Sequence, residues 1–306
     1  MFENHPKNVK IVEVGARDGL QNEKSQISTD DKLSYILSLI DAGITSLEVT
    51  SFVSPKAIPQ MADSKELFEK LKSKIDINNF ELPCLVPNIQ GYENAKNLGV
   101  KEIALFSATS SEFTKKNINA TVEESFKRMN EISSEAKKDG IKIRGYISTV
   151  FGCPYAGEMS IKDLLDVVEL FANYDLYELS IGDTIGVATP KQVDAFLTEL
   201  IKVYPKEKLS MHFHDTRGMA LSNVLVALGH GISIFDSSSG GLGGCPYAKG
   251  ATGNLATEDL VYLLNSFNIK HGIDMKKLSE ASEFILNTVG KETSSKFLKA
   301  YLNTGK

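Results

Sequence analysis

Short apolar, β-rich runs alternate along the chain with longer segments in which apolar residues recur every three or four positions. The runs predict strands at Lys10–Val14, Ser46–Thr50, Glu81–Val86, Glu102–Phe106, Lys142–Ser148, Glu178–Ile181, Leu209–Phe213 and Ser233–Asp236. Helical periodicity fills the intervals. Thr29–Ala42 puts Leu33, Ile36, Leu37 and Ile40 on one face. Thr121–Lys138 opens with Thr121 and Glu124, the spacing of a capping box. Ser160–Ala172 opens with Ser160 as N-cap and Asp163 in its first turn. Strand–helix units repeated in this way predict a parallel sheet closed into a (β/α)8 TIM barrel. Glu258–Ser266 and Met275–Thr288 follow the last strand and are expected as extra C-terminal helices outside the barrel. An open doubly wound sheet is the competing architecture, but no G-x-G-x-x-G follows the first strand. There is no linker or low-complexity tract, so residues 1–306 read as a single TIM-barrel domain.

Composition narrows the partners. The chain has 306 residues, 42% of them hydrophobic, and a formal net charge of -5 with both signs mixed along its length. Clustered Lys and Arg are missing, which argues against nucleic acid. Apolar runs break off well short of the ~20 residues needed to span a bilayer, so no membrane partner is expected. The polar start, Met1–Lys10, carries acids and bases and no apolar core, so the cytoplasm is the expected compartment. The odd set Cys84, Cys153 and Cys245 argues against a disulfide framework. Cys84, within Leu82-Pro83-Cys84-Leu85, reads as packing.

In a TIM barrel, chemistry sits where strands end and loops begin. The polar residues fall there: Arg17 and Asp18 after the first strand, Glu48 late in the second and Arg144 on the fifth. Ser180 and Asp183 close the sixth, His212 and His214 end the seventh, and Asn254 follows the eighth. Such groups are costly inside a core unless paired or metal-bound. Alternate strand residues share a face, so His212 and His214 project together while Met211 and Phe213 face the helices. Either a hydrogen-bonded histidine pair or a metal site accounts for this. Asp18 and Asn254 on adjoining strands favour the metal. Two imidazoles, a carboxylate and an amide oxygen suit Mg2+ or Mn2+. An iron site of two histidines and one carboxylate is the rival, but it leaves Arg17 unexplained.

The loop Gly240–Asn254 holds six glycines in fifteen residues, with Cys245 in its middle. A thiol on such a flap over a metal site is a good proton donor or acceptor. The phrase Gly152-Cys153-Pro154-Tyr155-Ala156 echoes Gly244-Cys245-Pro246-Tyr247-Ala248, without making a repeat architecture. Lys115 and Lys116 are weaker candidates, for phosphate contact.

These motifs are similar to those of 3-hydroxy-3-methylglutaryl-CoA lyases. The resemblance runs through Val12–Glu23, Thr50–Lys56 with Pro59-Gln60-Met61, Gly182–Gly186, His212–Thr216 and Gly240–Asp259. It spans nearly the whole chain. The last loop is the most specific segment, whereas the first motif is shared in outline with other metal-dependent Claisen enzymes. Ala16, Ala57 and Arg217 depart from residues frequent in the family, which bears on acyl-chain preference.

The resemblance implies a divalent-metal lyase that cleaves hydroxymethylglutaryl-CoA to acetyl-CoA and acetoacetate, a reaction of leucine degradation and ketone-body formation. It implies an acyl-CoA thioester substrate and a homodimer. Carried onto this chain, the metal ligands are Asp18, His212, His214 and Asn254. Arg17 binds substrate and stabilises an enolate, and Cys245 is the catalytic thiol. Asp183 or His212 is the candidate base, and Glu48 is expected to anchor Arg17 or the metal-site network. Gln21, Arg144, Ser180 and Thr184 are expected to line the substrate wall. A condensing synthase, a lyase for a longer-branched hydroxyglutaryl-CoA and a non-catalytic scaffold are the alternatives. Against the synthase, Leu20 follows Arg17-Asp18-Gly19 where those enzymes usually carry Glu.

Overall fold

The computed structural model describes residues 5–244 and 253–304. The first half of the chain runs β1 (Lys10–Glu13), α1 (Thr29–Asp41), β2 (Ser46–Leu47), α2 (Ser64–Lys74), β3 (Cys84–Leu85), α3 (Ile89–Asn97), β4 (Glu102–Ala108), α4 (Ser111–Ile118) and α5 (Val122–Asp139). It continues with β5 (Lys142–Ser148), α6 (Ile161–Phe171), β6 (Leu176–Asp183), α7 (Pro190–Leu200), β7 (Leu209–Phe213), α8 (Ala220–Gly229) and β8 (Ile234–Ser237). Three helices follow: α9 (Thr257–Ser266), α10 (Met275–Val289) and α11 (Lys296–Asn303).

The strands pair in parallel in the order β2-β1-β8-β7-β6-β5-β4-β3. Parallel bridges Ser46–Glu81 and Ser51–Leu85 join the outer strands β2 and β3, so the sheet curls round on itself as a TIM barrel. The two capping boxes expected from sequence are present. Thr121 and Glu124 cap α5, and Ser160 and Asp163 cap α6. Regular pairing at β2 and β3 is shorter than the hydrophobic runs suggest. Pro83 has no N–H to give to a ladder, although its carbonyl still accepts from Val49 N at 3.3 Å. Helix α11 was not anticipated as a separate element. Ser295 caps its start locally, accepting from Leu298 N at 3.0 Å, and the Asp259 carboxylate adds a remote contact by accepting from Lys296 N (3.0 Å) and Phe297 N (2.7 Å).

The sheet separates two environments. Outward residues such as Leu179, Ile181, Leu209, Met211 and Phe213 join the main apolar core under the helices. The inward face is largely polar. Val12, Val14 and Ile234 form only a small cluster apart from that core. Beside them Arg144, Glu178, Ser180, Ser210 and Asp236 are all at most 1% exposed.

Candidate metal centre

After β1 the chain makes a single π-type turn, Gly15–Gly19, which carries Arg17 and Asp18. The turn rests on Glu13, whose Oε1 accepts from Gly15 N at 2.8 Å. A β-carbon at Gly15 would lie 2.3 Å from the Tyr35 hydroxyl, so only glycine allows this seat. Arg17 is buried and reaches two carboxylates. Nη1 donates to Asp18 Oδ1 at 2.7 Å, and Nη2 lies 2.5 Å from Glu48 Oε2. Burial works against its charge, but Glu48 and Asp18 outweigh burial and keep the guanidinium protonated. Glu48 thus forms an ion pair with Arg17.

Ligand atoms of Asp18, His212 and His214 all lie within 4.8 Å of one another. The imidazole centroids are 5.3 Å apart. Asn254 joins them from the far end of the glycine-rich loop. It forms a bridge with His214, and Leu255 N donates to the Phe213 carbonyl at 2.9 Å. Its Nδ2 donates to Asp18 Oδ2 (2.9 Å) and to the Leu242 carbonyl (3.1 Å). A β-carbon at Gly243 would fall 2.7 Å from that Nδ2. With the amide nitrogen so held, Oδ1 is the acceptor left over. It has no hydrogen-bond partner, nor has His214 Nδ1, although both are buried. Orphaned lone pairs of this kind are rare unless something binds them. A carboxylate, two imidazoles and an amide oxygen therefore fit a divalent cation.

The charges agree. Burial opposes ionisation of Asp18, yet Arg17 and the two histidines hold its carboxyl below the usual range. Burial and the His212 charge lower His214 to about 4, leaving it a neutral donor at physiological pH. Burial raises Asp183, at the end of β6, to about 6. Its carboxylate accepts from Val187 N (2.9 Å) and Ala188 N (3.0 Å), which fixes its position.

The remaining candidates divide. Gln21 Nε2 donates to Asp18 Oδ1 at 3.0 Å, so it belongs to the cluster. Thr184 Oγ1 accepts from Thr149 N at 2.7 Å. Thr149 has φ of 59°, a left-handed conformation that a β-branched residue rarely adopts. Its carbonyl also accepts from Thr109 Oγ1 at 2.8 Å. Thr109 and Thr184, from the strands on either side, thus brace this strained corner. Arg144 and Ser180 were expected on the substrate wall, and here the structure corrects the sequence reading. Arg144 gives Nε to Glu178 (2.6 Å), Nη2 to Asp236 (2.6 Å) and Nη1 to Tyr146 and Asp236. Ser180 Oγ donates to Asp236 at 2.8 Å. Both are fully buried and committed to protein partners beneath the cluster.

Tyr146 and Asp236 are absent from the sequence candidates. Tyr146 donates to Glu48 Oε2 at 3.2 Å, and its ring lies 5.7 Å from the Arg17 guanidinium and 4.6 Å from that of Arg144. Its spacing of two from Arg144 on one strand was the available signal. Cys245 lies outside the described residues. Cys153, its echo, closes a tight turn in which Cys153 and Gly157 exchange backbone hydrogen bonds of 2.7 and 2.9 Å.

Residues 8–285 match the HMGL-like family model. The chain is 48% identical over 295 residues to a protein of Macaca fascicularis named hydroxymethylglutaryl-CoA lyase, mitochondrial, covering 96% of this chain and 90% of that protein. It resembles the crystal structure of hydroxymethylglutaryl-CoA lyase from Pseudomonas aeruginosa with a TM-score of 0.95 and 44% identity, over 99% of this chain and 100% of that one. A lyase of the same name from Acinetobacter baumannii, solved with coenzyme A and 3-methylmalate, aligns with a TM-score of 0.92 and 34% identity. That alignment covers 98% of this chain and 97% of the other.

Proposed function

This chain belongs to the HMGL-like family, and on that premise we propose that it cleaves 3-hydroxy-3-methylglutaryl-CoA to acetyl-CoA and acetoacetate. One observation carries the reading. Asp18, His212 and His214 converge within 4.8 Å, beside the unpartnered Asn254 Oδ1. The metal is assigned as Mg2+ or Mn2+, held by Asp18, His212, His214 and Asn254. Bound there, such an ion supplies Lewis acidity toward oxygen ligands.

The chain's own residues then handle protons and charge. Asp183, with its pKa near 6, is ionised at neutral pH and takes the proton of the tertiary hydroxyl. The carbon–carbon bond breaks as that oxygen becomes the acetoacetate ketone, and the electron pair passes to the thioester as its enolate. Arg17 meets this charge. Its guanidinium is kept protonated by Glu48, and its Nε has no protein partner. Gln21 and Glu48 keep Asp18 and Arg17 in place. Cys245 delivers a proton to the enolate carbon, giving acetyl-CoA. On this reading residues 1–306 act as one catalytic unit, a cytoplasmic homodimer.

Product analysis tests the whole. Protein stripped of metal and titrated with Mn2+ is to release acetyl-CoA and acetoacetate in equal amounts. Longer-branched hydroxyglutaryl-CoA analogues are run alongside. Faster turnover of an analogue would move the substrate assignment, and condensation without cleavage would favour a synthase. Loss of turnover in Cys245→Ser, with Mn2+ affinity retained, is the outcome expected for the thiol.

A further inference from the structure

The two histidines of the cluster are held differently. His214 has no protein partner at Nδ1. His212 has one: its Nδ1 lies 3.3 Å from Asp236 Oδ2. The sheet dictates this meeting, because His212 and Asp236 are register partners on β7 and β8 and project into the barrel side by side. Asp236 is itself firmly held. Its Oδ1 accepts from Arg144 Nη2 (2.6 Å) and Ser210 Oγ (2.7 Å), and its Oδ2 accepts from Ser180 Oγ (2.8 Å) and Arg144 Nη1 (3.2 Å). Four donors from three strands therefore fix the carboxylate, and Oδ2, where the Arg144 Nη1 contact is a long one of 3.2 Å, also lies within reach of the imidazole at 3.3 Å.

We infer that Asp236 is the positioning residue of His212, holding a proton on Nδ1 so that Nε2 is the nitrogen offered to the cluster of Asp18, His214 and Asn254. In most metal sites a histidine ligand bound through one nitrogen gives the other to an acceptor, which sets both tautomer and ring orientation. Asp236 is the acceptor within reach of His212 Nδ1. It touches neither substrate nor metal on this account, and acts only through His212. Arg144 and Ser180 gain a purpose as well: they hold the carboxylate that aims the ligand. The inference rests on the metal reading above.

Three measurements decide it. In long-range 1H–15N spectra of the Mg2+-loaded wild-type protein, the His212 imidazole is to carry its proton on Nδ1. A proton on Nε2 overturns the proposal, whatever any variant does. Asp236→Asn is then to weaken Mn2+ binding, followed by the electron paramagnetic resonance of free Mn2+, by about 10–100-fold. Ser210→Ala removes one bond to Oδ1 and leaves the His212 contact intact, so its Mn2+ affinity should stay within about threefold of wild type. A folded Asp236→Asn protein within about twofold of wild type overturns the proposal, as does equal weakening by Ser210→Ala. If Asp236→Asn does not fold, the wild-type spectrum alone decides between the two tautomers. If wild type itself binds no Mn2+, the metal reading falls and takes this one with it. Normal wild-type binding beside an unaffected variant sinks the inference alone.

Discussion

The mouth of the barrel and its floor contain the same kinds of residue in opposite conditions. At the floor, Lys10 pairs with Glu81 and Glu178, Glu178 with Arg144, and Arg144 with Asp236. Arg144 spends all three guanidinium nitrogens on protein. At the mouth, Arg17 Nε, Glu48 Oε1, His214 Nδ1 and Asn254 Oδ1 are buried without partners. Burial alone therefore does not mark a functional site here. Both regions bury charge: Arg144, Glu178 and Asp236 at the floor, Arg17, Glu48 and Asp183 at the mouth. What distinguishes the mouth is unused hydrogen-bonding capacity, a cost that a fold tolerates where something else is to bind. Tyr146 joins the two, with one arginine on each side of its environment and Glu48 on its hydroxyl.

Substitutions should separate the two regions by their readout. The largest effect belongs to the metal ligands. His214→Ala is to abolish turnover and Mn2+ binding while leaving the melting temperature nearly unchanged, because the ring has no protein hydrogen bond at Nδ1 to lose. A variant fully active in metal-limited buffer would remove His214 from the ligand set. Next comes the floor. Arg144→Ala strips Asp236 of its buried arginine and leaves Glu178 with Lys10 alone, and breaking a buried pair in this way typically costs about 3–5 kcal/mol of stability. Urea unfolding checks this, and a loss under about 1 kcal/mol would mean that the floor is not a tight network. Third is Arg17→Gln. It should lower kcat by the equivalent of about 2.7–4 kcal/mol, with KM changing much less. An unchanged kcat takes Arg17 out of the chemistry.

Much of the fold was legible because it depends on local periodicity. Strands β5 and β7 fall on the residues that the hydrophobic runs predict, and both capping boxes were readable from spacing alone. The ligand-like residues at the mouth were legible for a similar reason. His212 and His214 stand two apart on one strand, and the order of strands places Asp18 beside them. What escaped depends on registration between distant strands. Nothing local says that Asp236 stands opposite His212, or that Arg144 points into a ring of carboxylates rather than toward the substrate wall. For α11 the local cap Ser295 was in the sequence, but the Asp259 carboxylate that also accepts from its first turn comes from another helix.

Glu13 sharpens the comparison most finely, because it fits neither region. It is fully buried and fully partnered like the floor, accepting from Gly15 N, Ser239 N and Thr257 Oγ1, but the three partners are all neutral. Burial therefore raises its carboxyl from 4.5 to about 7 despite those bonds. A shift of that size corresponds to on the order of 3 kcal/mol lost from the charged form. The sign follows from proton counting. Between pH 4.5 and 7 the folded state holds this proton and the unfolded state has released it, so stability falls as pH rises through this window. Above about 7 both states are ionised and the penalty is complete. Glu13→Gln removes the titration and keeps the shape. Its amide oxygen can accept from Gly15 N and Ser239 N, and its NH2 can donate to the Thr257 hydroxyl. The charged carboxylate forms stronger hydrogen bonds, which takes back part of the gain. At pH 5 the variant should match wild type or fall slightly below it, and at pH 8 it should be more stable by about 1 kcal/mol. Urea unfolding of both proteins at pH 5, 6.5 and 8 measures the difference. If the advantage of glutamine does not grow with pH, Glu13 is ionised at low cost, and neutral partners at this depth suffice to hold a charge.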